Sequence, residues 1–383
     1  MPDQDPRSNL NVLRVVTTAV GTLFCVVILA VFCYNFILSS GTKESGSQAK
    51  AADVTIMDKY DMFVTNKISD ALDGVLSIEK VYWLSDSDQV APEPNPAGYG
   101  EVSSYEELLP ILEKAADLID GQTLAITPDR PFWNGSTVHY YYDETILVIT
   151  WKQIINNCVH TISEVKIAHP SQFRRGLAGG EFGSDKQHLT TEMSASVNAV
   201  MASSGDFYTY CKVGTVVYEG QLRRFEGEDV DTCFINDEGD LLFAYRGQLK
   251  SEEEAKKFIE DNNVRFSLVF GPVLLDNGEI KVPRTYSRGQ VEGTYSRAAI
   301  CQWDKLHYLV VNTSQEQGYF NRHKTRFFTE FIQKLGCNTA YALDGGQTTA
   351  IVMNDELVTL PDYGTQRRIS DIIYFATALP DGG

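Results

Sequence analysis

No Cys-x-x-Cys pair occurs in this chain, although it holds 7 cysteines among 383 residues. Structural zinc sites use such local pairs, so neither a metal nor another cofactor is expected. Cys25 and Cys33 fall inside the first apolar stretch, and Cys158, Cys211, Cys233, Cys301 and Cys337 are scattered. Seven cysteines are too few for a disulfide scaffold of this length. Buried free thiols are the expectation, with one disulfide among the last five left open if that part lies outside the cell. Basic residues are also scarce, 33 against 51 acidic ones, for a net charge of -18. That balance excludes a nucleic-acid binder driven by counterion release. There is no Walker loop, no GxGxxG after a strand, no HExxH and no GxSxG, so four common enzyme classes lack their signatures. Wholesale disorder is excluded as well, because 43% of the residues are apolar and only 22% are charged.

What the chain does contain begins with a hydrophobic run. Residues 15–38 (VVTTAVGTLFCVVILAVFCYNFIL) carry no formal charge and are long enough to cross a hydrocarbon core of about 30 Å. The run exceeds a signal-peptide core, and no small-x-small site follows it. Arg7 and Arg14 precede it, which predicts a cytoplasmic tail of residues 1–14, an uncleaved single-pass anchor and an extracytoplasmic remainder. Residues 39–52 read as a polar spacer. Residues 53–130 read as a membrane-proximal stalk subdomain, with helices over 68–81 and 104–118 around the loop APEPNPAGYG. Pro110 falls inside the second helix and predicts a kink or a later start.

From residue 131 the pattern turns to strands. TVHYYYDETILVITWKQ and CVHTISEVKIA flank a turn at Asn156-Asn157, and further hairpins turn at Glu219-Gly220 and Asn277-Gly278. Helices are expected over 190–201, from Ser251 onward as a capping box, and over 322–335 with Gly336 as its stop. Hairpins with a few interspersed helices predict an α+β fold whose sheets are largely antiparallel or mixed.

Three segments in order, NAVMASSGDFY, then FGPVLLDNGEI with YSRAAICQWDKLHYLVV, then YALDGGQTTAIVMNDELV, resemble the phosphodiester glycosidase family over roughly residues 136–379. That family includes the enzyme that uncovers mannose 6-phosphate, and its bacterial members are described as exopolysaccharide biosynthesis proteins. The chain departs from the family pattern at Ser204 for Asn, at Gln347 for the third Gly of LDGGG, and at Ser296 for the Pro before Arg297. The resemblance implies a membrane-anchored glycosidase acting on a glycan phosphodiester. A catalytically silent glycan-binding or polymer-assembly protein of the same fold is the second reading.

The chemistry indicates which residues to examine. Cleaving a sugar-1-phosphodiester at the anomeric carbon needs a carboxylate beside an oxocarbenium-like centre and a cation for the phosphate. Asp344 stands between an apolar run and a Gly-Gly turn, and Asp206 follows a predicted helix. Arg297 opens an otherwise apolar strand, where a charge needs a reason. These three are the catalytic candidates. Gly205, Gly271, Gly345 and Gly346 are expected to shape the backbone around the substrate, and Gln347 and Thr348 to hydrogen-bond sugar hydroxyls. Arg175 and His188 are further substrate-binding candidates, while Glu192 and Asp371 are rival carboxylates.

Overall fold

The structure, a computed structural model, describes residues 84–85, 90–128, 137–206, 208–210, 212–226, 229–288, 290–316 and 318–379, together with two short backbone segments, Lys67–Ile68 and Ile78–Glu79. The expected anchor at 15–38 and the spacer at 39–52 lie outside the described residues. Among the described residues, no helix is long and apolar enough to cross a membrane.

Hairpin turns build most of the architecture. Asn156-Asn157, Glu219-Gly220 and Asn277-Gly278 all adopt positive φ at both positions, the conformation that two-residue hairpin turns require. The resulting strands form a nine-stranded sheet in the spatial order Glu279–Ile280, Val273–Asp276, Thr339–Leu343, Ala298–Asp304, His307–Ser314, Cys158–Ile167, Ile146–Ile155, Val138–Asp143, Tyr99–Val102. A five-stranded sheet runs Glu356–Leu357, Ile351–Met353, Met201–Ser204, Asp371–Phe375, Phe173–Leu177. Every neighbouring pair in both sheets is antiparallel. The α+β expectation therefore holds, in its antiparallel form.

Alternate side chains of the large sheet feed two cores. Val148, Val165, Ile300 and Val310 pack with Met201, Ile351 and Phe375 of the five-stranded sheet. Leu147, Ile149, Leu309 and Val311 face the other way, against Leu108 and the helical Phe328, Phe331 and Ile332. Both faces of the large sheet are thus covered, and its central strand Cys158–Ile167 is buried at every position.

Five sequence expectations need correction. The strand Tyr99–Val102 pairs with Val138–Asp143, and Leu108 is fully buried in the main core, so no boundary near residue 130 divides the described part. The helix expected over 104–118 runs Tyr105–Lys114, capped by the Ser104 hydroxyl on the Glu107 amide, and breaks at Ala115 before a short turn Ala116–Ile119. Pro110 does not end it. Lys67–Ile68 pairs with Ile78–Glu79 as antiparallel strands where a helix over 68–81 was expected. The helix over 190–201 stops at Ser196, Asn198 takes φ 55, and Met201 opens a strand. The apolar positions Val197, Val200 and Met201 continue a helical spacing by coincidence. They lead into Met201–Ser204, a strand buried at every position. The last expected helix begins at Thr325 rather than 322, with Phe328, Phe331 and Leu335 inward and Gly336 as its left-handed stop.

Candidate active site

Strand register places the first two candidates side by side. Ala298 pairs with Leu343, so the next residues outward on these antiparallel strands are Arg297 and Asp344. Arg297 is also paired with Thr313 across its other edge, donating its amide to the Thr313 hydroxyl at 2.7 Å and accepting from the Thr313 amide at 2.8 Å. The five-stranded sheet meets this corner. The Asp344 amide donates to the Gly205 carbonyl at 3.2 Å, and the Ser204 hydroxyl donates to the Asp344 carbonyl at 3.2 Å. The Ser204 departure from the family Asn therefore still ties the two sheets together.

Two glycines are demanded by close approach. A Cβ on Gly345 would stand 2.5 Å from the Ser296 carbonyl oxygen, and one on Gly205 would stand 2.2 Å from an Asp371 carboxylate oxygen. The Gly346 amide donates to the Ser296 carbonyl at 2.8 Å, which fastens the LDGG turn to the strand that carries Arg297.

Asp344, Arg297, Gly271, Gly345 and Gly346 line one cavity of about 390 Å³. Two arginines that the sequence did not single out, Arg288 and Arg367, also line it, as does the half-exposed ring of Tyr295. The Arg297 guanidinium lies over that ring at 5.5 Å and donates to the carbonyls of Gln290, Gly293 and His323. Burial lowers its pKa to about 10, which still leaves it charged at neutral pH. The Arg288 Nε is buried without a hydrogen-bond partner among the described residues. Arg367 covers the ring of Tyr210 at 5.1 Å.

Asp344 is 8% exposed. Burial pushes its carboxyl up to about 7; Arg367 and the Thr348 hydroxyl pull it down, and the nearby Asp206 charge adds to the rise. A carboxyl so placed changes protonation near neutrality, as acid–base chemistry requires.

Asp206 lies behind this cavity rather than in its lining. Its oxygens accept from the amides of Tyr208 at 2.8 Å and Val269 at 2.9 Å, and from Arg175 at 3.0 Å. Arg175 also pairs with Asp371 at 3.1 Å, and Asp371 accepts the Asp206 amide at 3.0 Å. These three charged side chains are almost wholly buried, a triad that braces the corner from within. Burial, then the Asp206 charge, pushes the Asp371 carboxyl up, against the opposing pull of Arg175.

The remaining candidates are placed elsewhere. Thr348 is buried, and its hydroxyl donates to the Gly345 carbonyl at 2.8 Å, so it braces the turn. The Gln347 amide reaches the Thr365 hydroxyl at 3.1 Å, which keeps its bulk out of the cavity lining. Gly205 packs on Asp371. Arg175 and His188 border a second cavity of about 360 Å³, and His188 sits 3.4 Å from Glu192, which pairs in turn with Arg368. Arg288 and Arg367 escaped the sequence reading because arginines in loops are ordinary, and only the folded chain shows them lining the cavity that holds Asp344. Sequence spacing also missed a buried group of possible metal ligands, Cys158, His160 and His323.

No curated protein matches this chain. Among solved structures, it is similar to the zebrafish N-acetylglucosamine-1-phosphodiester alpha-N-acetylglucosaminidase catalytic domain auto-inhibited by its pro-peptide. The identity is 18%, over 61% of this chain and 83% of that one, with a TM-score of 0.48. It is also similar to a hypothetical protein from Synechocystis, at 15% identity over 65% of this chain and 64% of that one, with a TM-score of 0.48. Residues 193–376 match the family model of the phosphodiester glycosidases. The segment that supplies Asp206, Arg297 and Asp344 is thus similar to the phosphodiester glycosidases.

Proposed function

We propose that the protein is an extracytoplasmic phosphodiester glycosidase that hydrolyses a sugar-1-phosphodiester in a cell-envelope or exopolysaccharide glycan, tethered to the membrane by residues 15–38. The observation that carries this reading is one carboxyl poised near neutrality in a cavity lined by three arginines. A phosphodiester brings one negative charge, and guanidinium groups are suited to hold it. As the bond from the anomeric carbon to oxygen breaks, its electron pair goes to the phosphate oxygen, which gains a second charge. The arginines therefore favour the transition state over the bound substrate.

The leaving phosphate monoester is a weak base and needs little acid assistance. Asp344 is assigned the opposite task. In its ionised form it faces the developing positive charge and takes the proton from the water that attacks the anomeric carbon. Asp206 cannot share this task directly, because its oxygens are held by Tyr208, Val269 and Arg175. Tyr295 offers a ring at the cavity wall on which a sugar can stack. Gln347, which replaces the family glycine, is turned to the Thr365 hydroxyl and stays out of the cavity lining.

A panel of sugar-1-phosphodiesters tests the proposal. The full-length protein should release free sugar and a phosphate monoester from at least one member, and Asp344→Asn should not. Binding without release by the wild type contradicts it. For the tether, the full-length chain should sediment with membranes after high-salt washing; a mature N-terminus just after Leu38 contradicts that part.

A further inference from the structure

Beside Arg297, whose Nε donates to the His323 carbonyl, lies a cluster that the glycosidase reading does not use. Cys158 and His160 are two apart on the strand Cys158–Ile167, so their side chains share a face. His323 comes to them from the segment just before the helix Thr325–Leu335. All three are buried, and one ligand atom from each lies within 4.8 Å of the others.

The hydrogen bonds fix the imidazole tautomers. His160 Nδ1 lies 3.2 Å from the Cys158 carbonyl, and His323 Nε2 lies 3.3 Å from the Ile155 carbonyl. A carbonyl only accepts, so both of these nitrogens carry the proton. His160 Nε2 and His323 Nδ1 are then lone-pair donors. His160 Nε2 is buried and has no hydrogen-bond partner among the described residues. One ring nitrogen bound to a backbone carbonyl, with the other left bare, is the arrangement that metal-ligating histidines adopt.

We propose that Cys158, His160 and His323 form a buried site for one soft transition-metal ion, bound by the Cys158 thiolate and two neutral imidazoles. Thiolate and imidazole select soft and borderline ions over magnesium or calcium. The surroundings favour Cu(I), with Zn(II) as its competitor. Phe331 and Phe328 wall the site at ring separations of 4.4 and 6.5 Å from His160. In that apolar setting a monovalent ion and one thiolate are neutral together, whereas Zn(II) leaves a net positive charge. Three ligands also suit a trigonal ion. With bonds of about 2.0–2.3 Å the donors must come within about 3.5 Å of each other, so side-chain rotations of about 1 Å close the site. Binding displaces the thiol proton to solvent.

The site touches the active centre through shared partners. The His323 carbonyl accepts from Arg297 Nε at 3.2 Å, and Thr313, whose hydroxyl receives the Arg297 amide, pairs with His160 across the neighbouring strands. A bound ion would therefore stiffen the seat of Arg297.

The experiment uses tag-free, full-length protein, stripped by chelator under reducing, oxygen-free conditions and titrated separately with Cu(I) and Zn(II). Saturable binding of one equivalent is expected, with a rise in melting temperature. X-ray absorption should show one sulfur and two nitrogen neighbours. Cys158→Ser and His160→Gln should each lose the equivalent while circular dichroism stays native. Absence of one-equivalent binding for both ions, or binding that survives Cys158→Ser, overturns the proposal. If a variant fails to fold, the wild-type absorption spectrum decides, because a metal shell without sulfur refutes the site by itself. None of these readouts depends on glycosidase activity, so failure of the site and failure of the proposed function remain separable.

Discussion

Asp344→Asn should make the protein more stable, and only at pH values where Asp344 would be ionised. Burial moves the carboxyl from 3.8 to about 7. The folded state therefore holds its proton longer than the unfolded state does. Between about pH 4 and pH 7 the native protein binds more protons, so stability falls as pH rises, and above about 7 the whole cost is present. A rise of about three units corresponds to about 4 kcal/mol. Asparagine keeps the shape and cannot ionise, so it removes that cost. Urea unfolding of wild type and variant at pH 5 and pH 8 isolates the effect. Any pH-independent difference between amide and carboxyl cancels when the two pH values are subtracted. At pH 5 only part of the cost has developed, so the variant's advantage should grow by roughly 2–3 kcal/mol between the two conditions. An advantage that does not grow with pH would refute the argument that this carboxyl is held in an unfavourable setting. The same substitution should abolish turnover, so stability and activity would move in opposite directions at one residue.

Three further outcomes follow from the geometry. Arg297→Ala should raise KM and also lower kcat by about 10-fold or more, because the phosphate carries one charge in the bound substrate and gains a second as the bond breaks; steady-state kinetics at constant ionic strength checks this. Asp206→Asn should move the pH at which kcat/KM levels off below the wild-type value near 7, because the Asp206 charge helps raise Asp344. It should also cost about 3 kcal/mol in urea unfolding, since Arg175 would keep only Asp371 as a charged partner. Gly345→Ala should preserve folding by circular dichroism yet lower kcat by about 100-fold, because a Cβ 2.5 Å from the Ser296 carbonyl forces the turn to shift.

Much of the fold was legible because its turns carry their own chemistry. Asn156-Asn157 and Asn277-Gly278 announce positive φ, and the flanking β-branched and aromatic runs then pair as hairpins. The strand Met201–Ser204 was not legible. It is short, buried on both faces and shows no alternation, so it reads as the tail of the preceding helix. The LDGG turn and Arg297 were readable as anomalies, a charge at the mouth of an apolar strand and a carboxyl before paired glycines. Their adjacency came from the register of Ala298 with Leu343, which no local pattern encodes. Asp206 was read as a site residue, and the structure places it one layer behind, where it acts on Asp344 through its charge. Arg288 and Arg367 carried no signal, because their importance lies only in what they face.

The central claim is that water attacks the anomeric carbon, with Asp344 taking its proton and the phosphate leaving as a monoester. Hydrolysis of a sugar-1-phosphodiester in oxygen-18 water, followed by mass spectrometry of both products, tests that step directly. The account predicts the heavy oxygen at the anomeric position of the released sugar and none in the phosphate. Label in the phosphate would mean cleavage of the phosphorus–oxygen bond and would contradict it.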